Sequence, residues 1–125
     1  MTEVTHDIVY APEHGVRGEA DLHLPASPAG APVAMVIHGG GWQANDRTRF
    51  SAVCAQLADA GIAAFTINYR LTGDAPWPAC GNDCLRAARF LREGRHPAMA
   101  SLDRARIFLI GASAVAVPIA FTEEA

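Results

Sequence analysis

Apolar residues fall into short blocks along this chain, and their spacing changes from block to block. Val4 to Tyr10 and Gly18 to Leu24 read as two strands parted by the turn-rich Pro12-Glu13-His14-Gly15. In the second, Ala20, Leu22 and Leu24 alternate with Glu19, Asp21 and His23, which predicts an antiparallel strand with one face in solvent. Pro25 to Pro32, rich in proline and small residues, predicts a loop. Val33 to Ile37 is apolar throughout, as a parallel strand buried on both faces would be. A helix is predicted over Arg47 to Ala60, where Phe50, Val53, Cys54, Leu57 and Ala58 share one face. Asn45 or Asp46 is its expected N-cap and Gly61 its stop. Ile62 to Asn68 is the next strand, and Gly73 to Gly81, with prolines on either side of Trp77, is loop. Asn82 or Asp83 is expected to cap a second helix, with Leu85, Ala88 and Leu91 facing inward and Gly94 ending it. Ile107 to Ile110 is the last clear strand.

The order β-β-β-α-β-α-β implies an α/β fold: a leading β-hairpin, then mainly parallel strands with flanking helices. A chain of 125 residues, 50% of them hydrophobic, builds one core, so a single domain over 1–125 is expected. The formal net charge of −3 gives no electrostatic case for nucleic acid or an anionic membrane as partner. Arg86, Arg89, Arg92 and Arg95 accordingly read as a solvated helix face. The first residues carry Glu3 and Asp7 without an apolar signal region, and no apolar run approaches a membrane span. Cys54, Cys80 and Cys84 are an odd set without zinc-like pairing and suit a reducing compartment. The expectation is a cytoplasmic protein with no metal and no cofactor.

The candidate chemistry sits where two of the predicted strands end. His38-Gly39-Gly40-Gly41-Trp42 follows Val33 to Ile37, and successive glycines let backbone N–H groups approach a substrate closely. Such donors stabilise charge developing on a carbonyl oxygen. Gly111-Ala112-Ser113-Ala114 follows Ile107 to Ile110. Between them lie Asn68-Tyr69-Arg70-Leu71 and Trp77-Pro78-Ala79, and ahead of both lies Asp21-Leu22-His23-Leu24-Pro25. In this order and spacing, over about residues 3–114, the set resembles the α/β-hydrolase serine esterases with an HGGGW oxyanion loop. The resemblance implies a partial α/β-hydrolase fold with its C-terminal half missing, and hydrolysis of a small ester or related acyl compound. It makes Ser113 the nucleophile of an acyl-serine intermediate and Gly40, Gly41 and Ala114 the oxyanion donors. His38, Gly39 and Trp42 orient the loop, with Trp42 either lining an acyl pocket or covering the core. Tyr69 and Arg70 are expected to brace the sheet edge. Asp83 either pairs with Arg70 or serves the N-terminus of its helix. The strands ending at Ile37 and Ile110 are expected to be neighbours, so that both loops open at one edge of the sheet.

Three features depart from the family pattern. The fold's triad runs serine, acid, histidine, yet His6, His14, His23, His38 and His96 all precede Ser113, and only Glu123 and Glu124 are ionisable side chains after it. Val115 stands where the elbow has glycine, and Val117-Pro118 falls in what would be the first turns of the nucleophile helix. Codons of the form GTG-GCG-GTG for Val115-Ala116-Val117 become glycine codons with one G restored ahead of them, so residues 115–125 are expected to be an out-of-frame, divergent tail. Finally, Ile107 to Ile110 is expected to form an exposed apolar edge, open to self-association or to a complementing fragment. The expectation is a chain inactive on its own. The alternative is a non-catalytic remnant or binding partner, and an amidase of the same fold would read almost identically.

Overall fold

The computed structural model describes residues 1–40 and 43–111. Five strands form one mixed sheet in the order β1-β2-β4-β3-β5. They are β1 (Glu3–Val9), β2 (Glu19–Leu24), β3 (Val33–Ile37), β4 (Ala63–Ile67) and β5 (Ile107–Gly111). The leading hairpin is as expected: β1 pairs antiparallel with β2, and β2 pairs antiparallel with β4. Strands β4, β3 and β5 then run parallel, with Val33 opposite both Ala63 and Ile107 and Ile37 opposite both Ile67 and Gly111. The predicted adjacency of the strands ending at Ile37 and Ile110 is therefore present. The architecture is a partial α/β-hydrolase fold.

Two helices cover opposite faces. Helix α2 (Ala79–Glu93) lies over the face bearing Val33, Met35 and Ile37, joining Phe65, Ile67 and Tyr69 in the larger core. Helix α1 (Ser51–Asp59) covers Ala34, Val36 and Ala64 with Cys54, Phe50 and Leu57. Alternate residues of β3 thus reach two different cores, which is why the strand reads as an unbroken apolar run.

Several expectations need correction. Asp21 and His23 of β2 are buried, so that strand is covered on both faces; Arg47, described below, lies over the one that was expected to be in solvent. Helix α1 begins at Ser51 rather than Arg47, and neither Asn45 nor Asp46 caps it. The reason is local. The Asp46 carboxylate accepts from Thr48 N–H and Thr48 Oγ1, and the Ser51 N–H bonds to Thr48 O. The Arg47 carbonyl, which would start an earlier helix, accepts instead from the Thr66 hydroxyl at 2.7 Å. Val53 does not share the buried face of α1 and is 39% exposed. Helix α2 begins at Ala79, ahead of Asn82 and Asp83, and buries Cys80, Asp83, Cys84 and Ala87 beside Ala88 and Leu91. Leu85 is only partly buried. Gly94 ends the helix as expected, in the left-handed conformation.

Candidate active site

The glycine loop begins where β3 ends. His38 is fully buried, with its ring stacked on Tyr69 at a centroid distance of 4.2 Å. The Tyr69 hydroxyl donates to the His38 carbonyl at 2.8 Å. His38 Nδ1 lies 2.9 Å from the Gly39 carbonyl, which can only accept, so Nδ1 carries the proton and Nε2 is the bare nitrogen. Nε2 is buried and has no hydrogen-bond partner among the described residues. Burial pushes the His38 pKa below its ordinary value by disfavouring the imidazolium. The ring is thus engaged with the backbone of its own loop through Nδ1, and burial weakens it as a proton acceptor.

Beyond His38 the loop folds back on itself. The Asn45 amide donates to Gly39 O at 3.3 Å, and the Gln43 N–H donates to Gly40 O at 3.0 Å. Gly40 has φ +117°, and a Cβ there would lie 2.6 Å from the Ala44 carbonyl oxygen. Only glycine satisfies both the backbone angle and the close approach. Gly39 is buried and Gly40 is exposed, so the loop presents Gly40 at the surface with its carbonyl already engaged.

Asn68-Tyr69-Arg70, the stretch that follows β4, holds three parts together. Asn68 Oδ1 accepts from the Arg47 N–H at 2.7 Å, and its Nδ2 donates to Val16 O at 2.8 Å. Tyr69 supports His38 as described. Arg70 donates from Nε and Nη2 to the buried Asp83 carboxylate, which also accepts from the Arg70 N–H at 2.8 Å. Pairing with Arg70 is thus the role that Asp83 takes, inside α2 rather than at its end. These side chains fasten the carboxyl end of β4, a central strand, to the glycine loop on one side and α2 on the other.

Gly111 closes β5 directly opposite Ile37, the residue before His38. Strands β3 and β5 therefore end together at the carboxyl edge, where ligands bind in open α/β sheets. Ser113 and Ala114 lie outside the described residues, as do Gly41, Trp42 and the 115–125 tail. Among the described residues no group of three or more His, Cys, Asp or Glu is placed to hold a metal ion, and no helix is long and apolar enough to cross a membrane.

Comparison with known proteins identifies the family. The family model BD-FAE matches residues 20–117. The chain belongs to the BD-FAE family. Esterase LipI of Mycobacterium tuberculosis is 34% identical over 125 aligned positions, covering 86% of this chain and 38% of LipI. The carboxylic ester hydrolase LipN of the same organism is 34% identical over 76 positions, covering 58% of this chain and 20% of LipN. Among solved structures, an inhibited esterase B of Lactobacillus rhamnosis superposes with TM-score 0.88 at 25% identity, covering 99% of this chain and 41% of that one. A thermophilic esterase of Thermogutta terrifontis gives TM-score 0.75 at 27% identity, over 97% of this chain and 43% of that one. The BD-FAE chain spans about two fifths of the length of LipI and of the two solved esterases, and about a fifth of LipN.

Asn45, Arg47, Asp21 and Asn68 are the contributors to the site that the sequence did not single out as such. Asp21 and Asn68 stand inside recognised motifs, but their partners are 26 and 21 residues away in Arg47. No local pattern marks them.

Proposed function

We propose that this BD-FAE chain carries the nucleophile and oxyanion half of a carboxylic ester hydrolase. In this reading Ser113 attacks the ester carbonyl and forms the acyl-serine intermediate, with the alcohol leaving. The N–H groups of Gly40, Gly41 and Ala114 receive the oxyanion. His38, Gly39 and Trp42 orient the loop. The observation that supports the reading is the register of β5 on β3, which pairs Gly111 with Ile37, so that both strands end at one edge.

In this reading the general base is none of the five histidines of these 125 residues. His38 is committed to Gly39 O and held neutral by burial. His96 Nδ1 accepts from Ala98 N–H, His6 lies 3.3 Å from Asp21, and His14 lies 3.6 Å from Asp83 inside the α2 packing. His23 pairs with Ala64 in the amino-terminal half of β4, away from the carboxyl edge where β3 and β5 end. The test is hydrolysis of p-nitrophenyl butyrate by the 125-residue chain and by Ser113→Ala. Both are expected to match the buffer rate. Turnover that Ser113→Ala abolishes would place the base within these residues.

A second reading, association through β5, is favoured by one observation. Strand β5 lies outermost in the described sheet, with Phe108 51% and Leu109 37% exposed. Unpaired apolar edges recruit further strands. Sedimentation of the chain should show a self-associated species that Phe108→Lys shifts toward monomer; a monodisperse monomer in both would remove this reading.

A further inference from the structure

We infer that Arg47 is a positioning residue for the glycine loop, acting through a clip that ties the loop to the leading hairpin. The inference rests on the esterase reading for its catalytic meaning, although the clip itself is a property of the fold. Arg47 lies seven positions beyond Gly40 at the end of the returning segment. Both its backbone groups are held: its N–H by Asn68 Oδ1 and its carbonyl by the Thr66 hydroxyl, each at 2.7 Å.

Its side chain is 13% exposed and its guanidinium meets three carboxylates. Nε donates to Asp21 Oδ1 at 3.0 Å, Nη1 to Glu19 Oε1 at 3.4 Å and Nη2 to Asp7 Oδ1. Asp21 is buried, so this contact is largely removed from water, where charge-assisted hydrogen bonds are strongest. His6 approaches the other Asp21 oxygen at 3.3 Å from the solvent side.

The hairpin is shaped to supply these partners. The β1–β2 register slips between Thr5 and Ile8, and Asp7 within the slip has φ +57°. A non-glycine residue in that region marks a locally determined conformation. Here the Asp7 N–H bonds to Asp21 Oδ1 at 3.1 Å while its carboxylate reaches Arg47. The bulge re-aims Asp7 out of the strand pairing and onto the loop anchor.

From Arg47 the constraint passes to the glycines along a short path. Asn45, itself at φ +75°, gives its carbonyl to Arg17 Nη1 at 3.0 Å and its amide to Gly39 O. Ala44 O packs against Gly40, and the Gln43 N–H bonds to Gly40 O. Releasing Arg47 frees the returning segment, and with it the surface that fixes Gly39 and Gly40. The guanidinium fork is required, because an ammonium is a single point that cannot serve three carboxylates in fixed directions.

Residue-resolved amide hydrogen exchange on the full chain tests this without depending on hydrolysis. The Gln43 and position-47 amides report the loop, and amides of 63–67 report the sheet. In Arg47→Met the two loop amides should exchange about tenfold faster while those of β4 stay within about twofold, the mark of a local opening. Arg47→Lys should recover only part of the protection. Asp7→Asn, at a side chain 69% exposed and safe for folding, should show the same local loosening to a smaller degree. Unchanged loop amides in both Arg47→Met and Asp7→Asn would overturn the inference. Equal acceleration in loop and β4 would overturn it too, showing a general structural prop. Absence of any Ser113-dependent rate increment on adding imidazole would instead defeat the esterase reading and leave the exchange result standing.

Discussion

Replacing Gly40 by alanine puts the loop geometry to a quantitative test. The backbone there has φ +117°, and the new Cβ would sit 2.6 Å from Ala44 O, 2.9 Å from the Asn45 amide nitrogen and 3.1 Å from Ala44 C. The conformation alone costs a non-glycine residue about 1–3 kcal/mol. The Asn45 side chain could turn away, but the nearest obstacle is the Ala44 carbonyl, backbone that no rotamer change moves, and overpacking of this kind adds about 1–3 kcal/mol. Gly61 provides the control, since it has φ +89° and nothing within 4 Å of its would-be Cβ. Gly61→Ala therefore carries only the conformational cost. Urea unfolding of both variants at one pH should place Gly40→Ala about 1–3 kcal/mol below Gly61→Ala, a large share of a total stability of about 5–15 kcal/mol. Where the loop yields locally, the deficit shrinks and the Gln43 N–H, bonded to Gly40 O, loses its exchange protection instead. Equal stability of the two variants together with an unchanged Gln43 amide would refute the close approach of Gly40 to Ala44.

Two further outcomes are expected. Asp83→Ala removes a buried carboxylate from Arg70 and should lower stability by about 2–4 kcal/mol in urea unfolding, less than for a wholly buried pair because Arg70 can rehydrate; Glu13→Ala, which breaks an exposed pair with Arg86, should change it far less. Burial holds the His38 and His23 pKa values below the ordinary 6.5, so the unfolded chain takes up protons first as pH falls. Stability should be full above about pH 6.5 and decline below it, and His38→Gln should make that decline shallower in melts from about pH 7 to 5; an identical slope in the variant would contradict the burial argument.

The legible part of the fold was what local pattern encodes. The unbroken run Val33 to Ile37, covered by α1 on one side and α2 on the other, announced a parallel strand, and Gly94 marked a helix end. The alternation in β2 was real but its meaning was not local. Asp21 and His23 face a layer that contains Arg47, and a polar residue neutralised by a distant partner reads in sequence like one facing water. The helix starts failed for a related reason. Asp46 and Asp83 are good caps in isolation, yet Asp46 closes a turn onto Thr48 and Asp83 is drawn into α2 by Arg70. In the candidate site Gly40 was legible because its backbone angle and the close approach of Ala44 restrict residue type. The clamps formed by Asn45, Arg47 and Asn68 were not, because they depend on pairings up to 40 residues apart.

The central claim is that Ser113 and the glycine loop form an esterase half-site whose base lies elsewhere. Supplying the base from solution tests it most directly. The rate of p-nitrophenyl butyrate hydrolysis would be followed for the chain and for Ser113→Ala as imidazole is titrated in, the variant correcting for imidazole's own reaction. Equal rates are expected without imidazole, with a Ser113-dependent increment that grows as imidazole is added. Ser113-dependent turnover without imidazole, or no increment at any concentration, would contradict the claim.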